Sequence, residues 1–331
     1  MPAEFSPTSI LVINVSRIGD TLLVTPAVRA LAQAWPQARI SVLGHPKRIE
    51  ILEHLPFVAE TGAITKHRAY LLGRWSTRSW DLALVYGFER QLVRYALRVA
   101  ARVVAFGQDA PSLDARLYRR VERPAFQSLH SAELPLLLTR ALGVPDAGLR
   151  LAYHVTDAEA TWACATLPQS GRPLVGFQVA SFPTKGYRDW PLEHFGALGD
   201  RVLARWPNAR LVFLGGSLER ARIVDFARRF GEHATVFAGR LTLRQSAALM
   251  SRLDLYVGVD TGPTHIMGAL EPPMVALYHC YSPSRLLAPI GRAHCFVVDH
   301  PRAAEGCPSE TSMAEITVDA VWARVCEALG G

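Results

Sequence analysis

Lysine is almost missing from this chain of 331 residues; it occurs only at Lys47, Lys66 and Lys185, so arginine carries nearly all the positive charge. Other familiar signatures are missing too. No G-x-G-x-x-G and no G-K-[ST] occurs, which excludes the usual dinucleotide fingerprint and the P-loop. No D-x-D pair is available to hold Mg²⁺ or Mn²⁺. The cysteines, Cys164, Cys280, Cys295, Cys307 and Cys326, form neither a C-x-x-C nor a His/Cys zinc spacing. An odd, scattered set of this kind is expected as reduced thiols in a cytoplasm, and no metal site is expected. No run approaches the roughly eighteen apolar residues of a membrane-spanning helix. The opening stretch MPAEFSPTS has no basic n-region, and Ile10–Val15 is too short for a signal core, so a secretory leader is not expected.

What is present points to a folded, two-domain protein. Half of the residues are hydrophobic and 20% are charged, which excludes disorder and supplies two cores. The length suits two domains of about 150 residues each. With 36 Lys+Arg against 29 Asp+Glu the formal charge is +7, which fits an anionic partner such as a nucleotide, nucleic acid or an acidic membrane surface. Arginine binds phosphate in a bidentate manner, although a GC-rich genome would produce the same bias. No aromatic-basic module of the single-strand binding type is visible, so nucleic acid is not the expected partner.

Along the chain, short apolar runs alternate with helical periodicity. Ile10–Val15, Arg39–Leu43, Asp81–Tyr86 and Arg102–Phe106 read as buried strands. Between the first two, Leu22, Leu23, Ala27, Ala30, Leu31 and Ala34 recur at helical spacing, with Pro26 as a kink or a helix start. The pattern restarts after Pro168–Pro173. Strands are expected at Leu174–Val179, Arg210–Leu214, Thr235–Phe237, Leu255–Val259, Met274–Tyr278 and Cys295–Val298, with helices between them. Such alternation argues for an α/β protein with parallel sheets.

Four loops at strand ends carry chemistry. Ser16-Arg17-Ile18-Gly19-Asp20-Thr21 follows the first strand and enters a helix; there Asp20 suits either an N-cap or a catalytic acid. Asp260-Thr261-Gly262-Pro263-Thr264-His265 again joins a strand to a helix, and its amides and hydroxyl suit a pyrophosphate, or simply a capped helix. The stretch from Ser181 through Lys185, Tyr187 and Arg188 to Trp190-Pro191 places a hydroxyl and two cations where a phosphate clamp would lie. Gly215-Gly216-Ser217-Leu218-Glu219 offers glycines for close approach and a carboxylate for ribose hydroxyls.

Taken together, these residues resemble the ADP-heptose:lipopolysaccharide heptosyltransferases, glycosyltransferase family 9. The resemblance rests on Arg17-Ile18-Gly19-Asp20-Thr21-Leu22 with Thr25-Pro26-Ala27, and on Asp260 to His265 continuing to Ala269-Leu270. Arg188-Asp189-Trp190-Pro191-Leu192-Glu193-His194-Phe195 and Gly215–Glu219 stand between them, in the family's order. It implies a GT-B fold, two Rossmann-like parallel-sheet domains facing a central cleft. The expected division is 1–168 on the acceptor side, 169–317 as the donor domain, and 318–331 as a helix returning to the N-terminal domain. It also implies an inverting, metal-independent transfer from a nucleotide-diphosphate sugar, typically ADP-heptose, with no further cofactor. Asp20 matches the proposed general base, in a loop with Arg17, Gly19 and Thr21. Ser181, Lys185, Arg188, Glu219, Asp260, Thr261, Gly262 and His265 match the donor side, with Lys185 or Arg188 as the main phosphate contact. The acceptor is expected to be a lipopolysaccharide core or related glycan, reached by peripheral contact with an anionic membrane. A nucleotide-sugar epimerase and a non-catalytic sugar-nucleotide binder are the rival readings.

Overall fold

The computed structural model describes residues 5–72, 80–181 and 183–330. It separates into two compact units, Met1–His154 and Val155–Gly331.

In the first unit, six parallel strands form one sheet in the order β3-β2-β1-β4-β5-β6. They are β1 (Ser9–Asn14), β2 (Arg39–Gly44), β3 (Glu60–Ala63), β4 (Trp80–Val85), β5 (Ala100–Phe106) and β6 (Arg119–Val121). Alternate residues of β1 serve different cores: Ile10 and Val12 pack on one face, and Leu11 and Ile13 on the other. Covering both faces explains why the strand is continuously apolar. The sequence after β1 forms two helices, Ile18–Leu23 and Thr25–Ala34, and Pro26 sits in the first turn of the second. There its missing N–H costs nothing.

The second unit repeats the plan in the order β12-β11-β10-β7-β8-β9. Its strands are β7 (Leu174–Gln178), β8 (Arg210–Leu214), β9 (Ala234–Val236), β10 (Leu255–Val259), β11 (Met274–Tyr278) and β12 (Cys295–Asp299). Phe177, Phe195, Phe213 and Trp190 are fully buried at its centre. The α/β class with two Rossmann-like parallel sheets is therefore the one observed.

Three expectations are corrected. The division falls between His154 and Val155, not at 168. The helix Asp157–Thr166 is held to the second unit, because Glu159 forms a two-pronged ion pair with the buried Arg244 at 2.5 and 2.6 Å. The last helix, Val318–Leu329, stays with the second unit and does not return to the first. Val321 and Val325 enter the second unit's core, Trp322 meets Trp206 at 5.9 Å, and Asp319 pairs with Arg201 at 2.6 Å. The cysteines are not all thiols: Cys280 and Cys307 form a disulfide, while Cys164, Cys295 and Cys326 are free. The pair lies in the loops after neighbouring strands β11 and β12, a proximity that sequence spacing does not reveal.

Candidate functional site

In each sheet the strand order reverses direction once, between β1 and β4 in the first unit and between β7 and β10 in the second. Loops leaving the carboxyl ends of two such strands diverge and open a crevice, the usual ligand position in open α/β sheets. All four motif loops leave the carboxyl ends of strands, and three of them flank these two points.

In the second unit, the loop after β7 holds Ser181 to Arg188 and the loop after β10 holds Asp260 to Gly262. The Gly262 and Thr264 amides, which open the helix Gly262–Ala269, have no partner within the helix and lie at its positive end, while Pro263 between them has no N–H. Asp260 behaves differently from its neighbours. Its amide is taken by the Leu277 carbonyl oxygen at 3.1 Å, and its side chain is only 3% exposed. Nη1 of Arg188 reaches its Oδ2 at 2.6 Å and Nε2 of His265 lies 3.5 Å from Oδ1. Burial pushes this carboxyl upward, but the hydrogen bond from His265 and the Arg188 charge outweigh it, so Asp260 is held below the usual carboxylate range. A buried, charged carboxylate turned toward Arg188 and His265 orients those two side chains.

Lys185 is placed the other way. Its Nζ lies 5.5 Å from the Tyr187 ring, and among the described residues it makes no ion pair. Arg188 also lies against Tyr187, at 5.4 Å. The loop that carries both is held by Asp189, whose Oδ1 accepts from the Ser181 amide at 2.7 Å and lies 2.6 Å from its hydroxyl. That hydroxyl is also 2.7 Å from the Lys185 carbonyl oxygen, so Ser181 shapes the loop from a buried position. After β8, Glu219 begins the helix Arg220–Ala227 and its carboxylate has no partner among the described residues. A Cβ on Gly216 would meet Glu219 Oε2 at 2.6 Å, so glycine lets that carboxylate fold over the turn. Leu218 beside it is 72% exposed.

In the first unit, the helix after β1 is opened by Arg17, so Asp20 is its third residue and not its N-cap. Arg17 and Asp20 are exposed, and neither side chain has a partner among the described residues. Gly19 and Thr21 are buried. Thr21 Oγ1 donates to the Arg17 carbonyl oxygen at 2.7 Å, and Asn14 Nδ2 donates to the Asp20 carbonyl oxygen at 2.9 Å, which locks the turn that presents Asp20. After β4, the helix Arg90–Val99 buries Leu92, Val93, Tyr95, Ala96 and Val99. Its other face, with Lys66, His67 and Phe88, lines a cleft of about 860 Å³ whose cations include Arg90 and Arg94.

The model for glycosyltransferase family 9 (heptosyltransferase) matches residues 92–315, about two thirds of the chain. The chain belongs to glycosyltransferase family 9. It is therefore a glycosyltransferase, of the lipopolysaccharide heptosyltransferase type. The lipopolysaccharide core heptosyltransferase OpsX of Haemophilus influenzae is 21% identical over 292 residues, covering 85% of this chain and 81% of that protein. Among solved structures, the family 9 glycosyl transferase of Veillonella parvula superposes with a TM-score of 0.81 at 20% identity, covering 98% of both chains. The ADP-heptose lipopolysaccharide heptosyltransferase II of Escherichia coli gives 0.80 at 21% identity, covering 97% of this chain and 98% of that one. These likenesses identify the fold as GT-B.

Within that family frame, Ser181, Lys185, Arg188, Asp260, Thr261, Gly262 and His265 gather at one reversal point of the second sheet, and Glu219 stands on the next strand along. Arg17, Gly19, Asp20 and Thr21 gather at the reversal point of the first. Sequence reasoning missed the basic cleft, although Arg90, Arg94 and Arg98 recur every four residues on one helix face. It also missed that Asp189 anchors the cationic loop. Among the described residues one group, His279, Cys280 and Cys307, brings metal-ligating atoms together, in the loops after β11 and β12.

Proposed function

We propose that this chain transfers a heptosyl group from ADP-heptose to a hydroxyl of a lipopolysaccharide core or related glycan, by one inverting displacement that needs no metal ion. The observation that carries the proposal is the pairing of Lys185, which makes no ion pair among the described residues, and an Asp260-oriented Arg188 with the Gly262 and Thr264 amides that open the helix Gly262–Ala269. This is an anion site made of charge and backbone dipoles. In the reaction the acceptor oxygen attacks the anomeric carbon from the face opposite the diphosphate. Asp20 takes the acceptor proton, the bond from the anomeric carbon to the diphosphate breaks, and the leaving ADP keeps the electron pair. Lys185, Arg188 and the helix amides stabilise the charge that collects on the leaving group. With no D-x-D in the chain, these groups take the place of a divalent cation.

Glu219 is suited to accept from the ribose hydroxyls, and the exposed Leu218 offers a nucleobase an apolar face. Lys66, Arg90 and Arg94 suit an acceptor that carries phosphate or carboxylate groups. No helix among the described residues is long and apolar enough to cross a membrane. The +7 charge then supports peripheral contact with anionic lipid at the cytoplasmic face.

Two incubations test the reading. With ADP-heptose and a heptose-deficient lipopolysaccharide acceptor, ADP and a heptosylated acceptor of inverted anomeric configuration should form together. With ADP-heptose alone the sugar should remain unchanged. Conversion of the donor without acceptor would replace transfer by epimerisation, and tight donor binding with no product in either tube would leave only a binding protein.

A further inference from the structure

The loops after β11 and β12 hold side chains that the transfer reaction does not use. His279 and Cys280 follow β11 directly, and Cys307 lies in the loop beyond β12. Tyr278 and Asp299 are partners across these strands, so the two loops leave the sheet side by side. The Cys280–Cys307 disulfide joins them, with Cα atoms 5.5 Å apart. Nδ1 of His279 stands 3.9 Å from each sulfur. The ring's other nitrogen, Nε2, is 2.8 Å from the Thr311 carbonyl oxygen. A carbonyl only accepts, so the proton resides on Nε2 and the lone pair on Nδ1. The Tyr281 amide donates to Nδ1 at 2.9 Å, which selects the same tautomer.

A histidine that ligates a metal generally donates its other N–H to a carbonyl or carboxylate, as His279 does to Thr311. Zinc bonds of about 2.3 Å to sulfur and about 2.0–2.1 Å to nitrogen place neighbouring ligands of a tetrahedron roughly 3.5–3.8 Å apart. The separation of 3.9 Å between Nδ1 and each sulfur is close to that, the two bonded sulfurs must move apart to about the same spacing on reduction, and His279 and Cys280 are buried away from competing water. We propose that, once the disulfide is reduced, Cys280, Cys307 and His279 bind one thiophilic divalent cation such as Zn²⁺, with the fourth position open. Reduction by a thiol or phosphine adds two electrons and two protons and opens the S–S bond to two thiols. Cation binding then releases those two protons, and Nδ1 exchanges the Tyr281 amide for the metal. Reoxidation by a disulfide oxidant such as oxidised glutathione withdraws two electrons from the thiolates, re-forms the S–S bond and expels the cation. A reducing compartment favours the dithiol, and so the metal-binding form.

The test uses the full chain, reduced with a phosphine, freed of excess reductant and titrated anaerobically with Co²⁺, then Zn²⁺. Reduced protein should bind one Co²⁺ with a thiolate-to-metal charge-transfer band and release about two protons per cation. Zn²⁺ should displace the Co²⁺. The band should be missing from the disulfide form and from Cys280→Ser/Cys307→Ser, which keeps Cys164, Cys295 and Cys326. His279→Gln should weaken the affinity by at least about tenfold. No band in the reduced wild type, an equal band in the double variant, or unchanged affinity in His279→Gln would each overturn the site. Cys307→Ser alone, at the more accessible position, repeats the test should the double variant fail to fold.

Discussion

Lys185 and Arg188 stand three residues apart on one loop, yet neutralising them should have different consequences. Lys185 has no ion-pair partner among the described residues and its charge acts on Asp260 only at a distance, so Lys185→Gln strands no charge and should lower the melting temperature far less than loss of Arg188 does. If its ammonium meets the donor diphosphate directly, the loss is one charge-assisted bond, roughly 1.5–3 kcal/mol, or about 10–150-fold in ADP affinity. Arg188→Gln is different. Its guanidinium is 2.6 Å from an Asp260 carboxylate that is only 3% exposed. Removing one partner of such a pair strands a buried charge and costs about 3–5 kcal/mol. For a unit of the size of Val155–Gly331 each kcal/mol is worth roughly 2–4 °C, so a fall of about 6–20 °C is expected. Pairing it with Asp260→Asn removes the stranded charge and should restore at least half of that loss, without restoring ADP affinity. Thermal unfolding and ADP titration calorimetry on the four proteins measure both effects. Equal melting temperatures for Lys185→Gln and Arg188→Gln, or undiminished ADP affinity in Lys185→Gln, would refute the division of labour.

Asp20→Asn should preserve folding and ADP affinity, since Asp20 is exposed and is not the helix cap, while turnover falls by about 10²–10⁴. A rate within a few-fold of wild type would remove Asp20 from the mechanism. Glu159→Gln should destabilise the second unit by roughly 2–3 kcal/mol at neutral pH: burial alone would raise this carboxyl, but hydrogen bonds and charge from Arg244 and the Thr156 amide hold it at about 2. Because the folded value is depressed, this stabilisation is complete above pH about 4.5 and is lost as pH falls toward 2, so wild type and variant should converge over that window in pH-dependent denaturation; a gap independent of pH would contradict the ion pair. Turnover measured in excess EDTA should equal that in its absence, and a loss that Mg²⁺ or Mn²⁺ restores would disprove metal-independent transfer.

Local chemistry in the sequence determined most strands and the position of each motif loop. β8, β10 and β11 carry uninterrupted apolar runs because both sheet faces are covered, and such runs are visible without any partner. The edge strands β3 and β6 were not legible, since Glu60–Ala63 and Arg119–Val121 are polar and half exposed, with no apolar period to read. The motif loops were found because each pairs a strand end with a helix start, a signal contained in about ten residues. Pairings between distant residues could not be found this way. Arg188 meets Asp260 across 72 residues, so only the packed sheet shows that one loop cation is committed and the other is not. Glu159 and Arg244 meet across 85 residues, which assigns a helix to the second unit against its position in the chain. Cys280 and Cys307 meet because β11 and β12 are neighbours, and strand order is a property of the whole sheet. The amphipathic stripe of the last helix shows that it packs on something. Its neighbour was decided by the apolar surface that the helix Leu192–Arg205 and the sheet leave uncovered in the second unit.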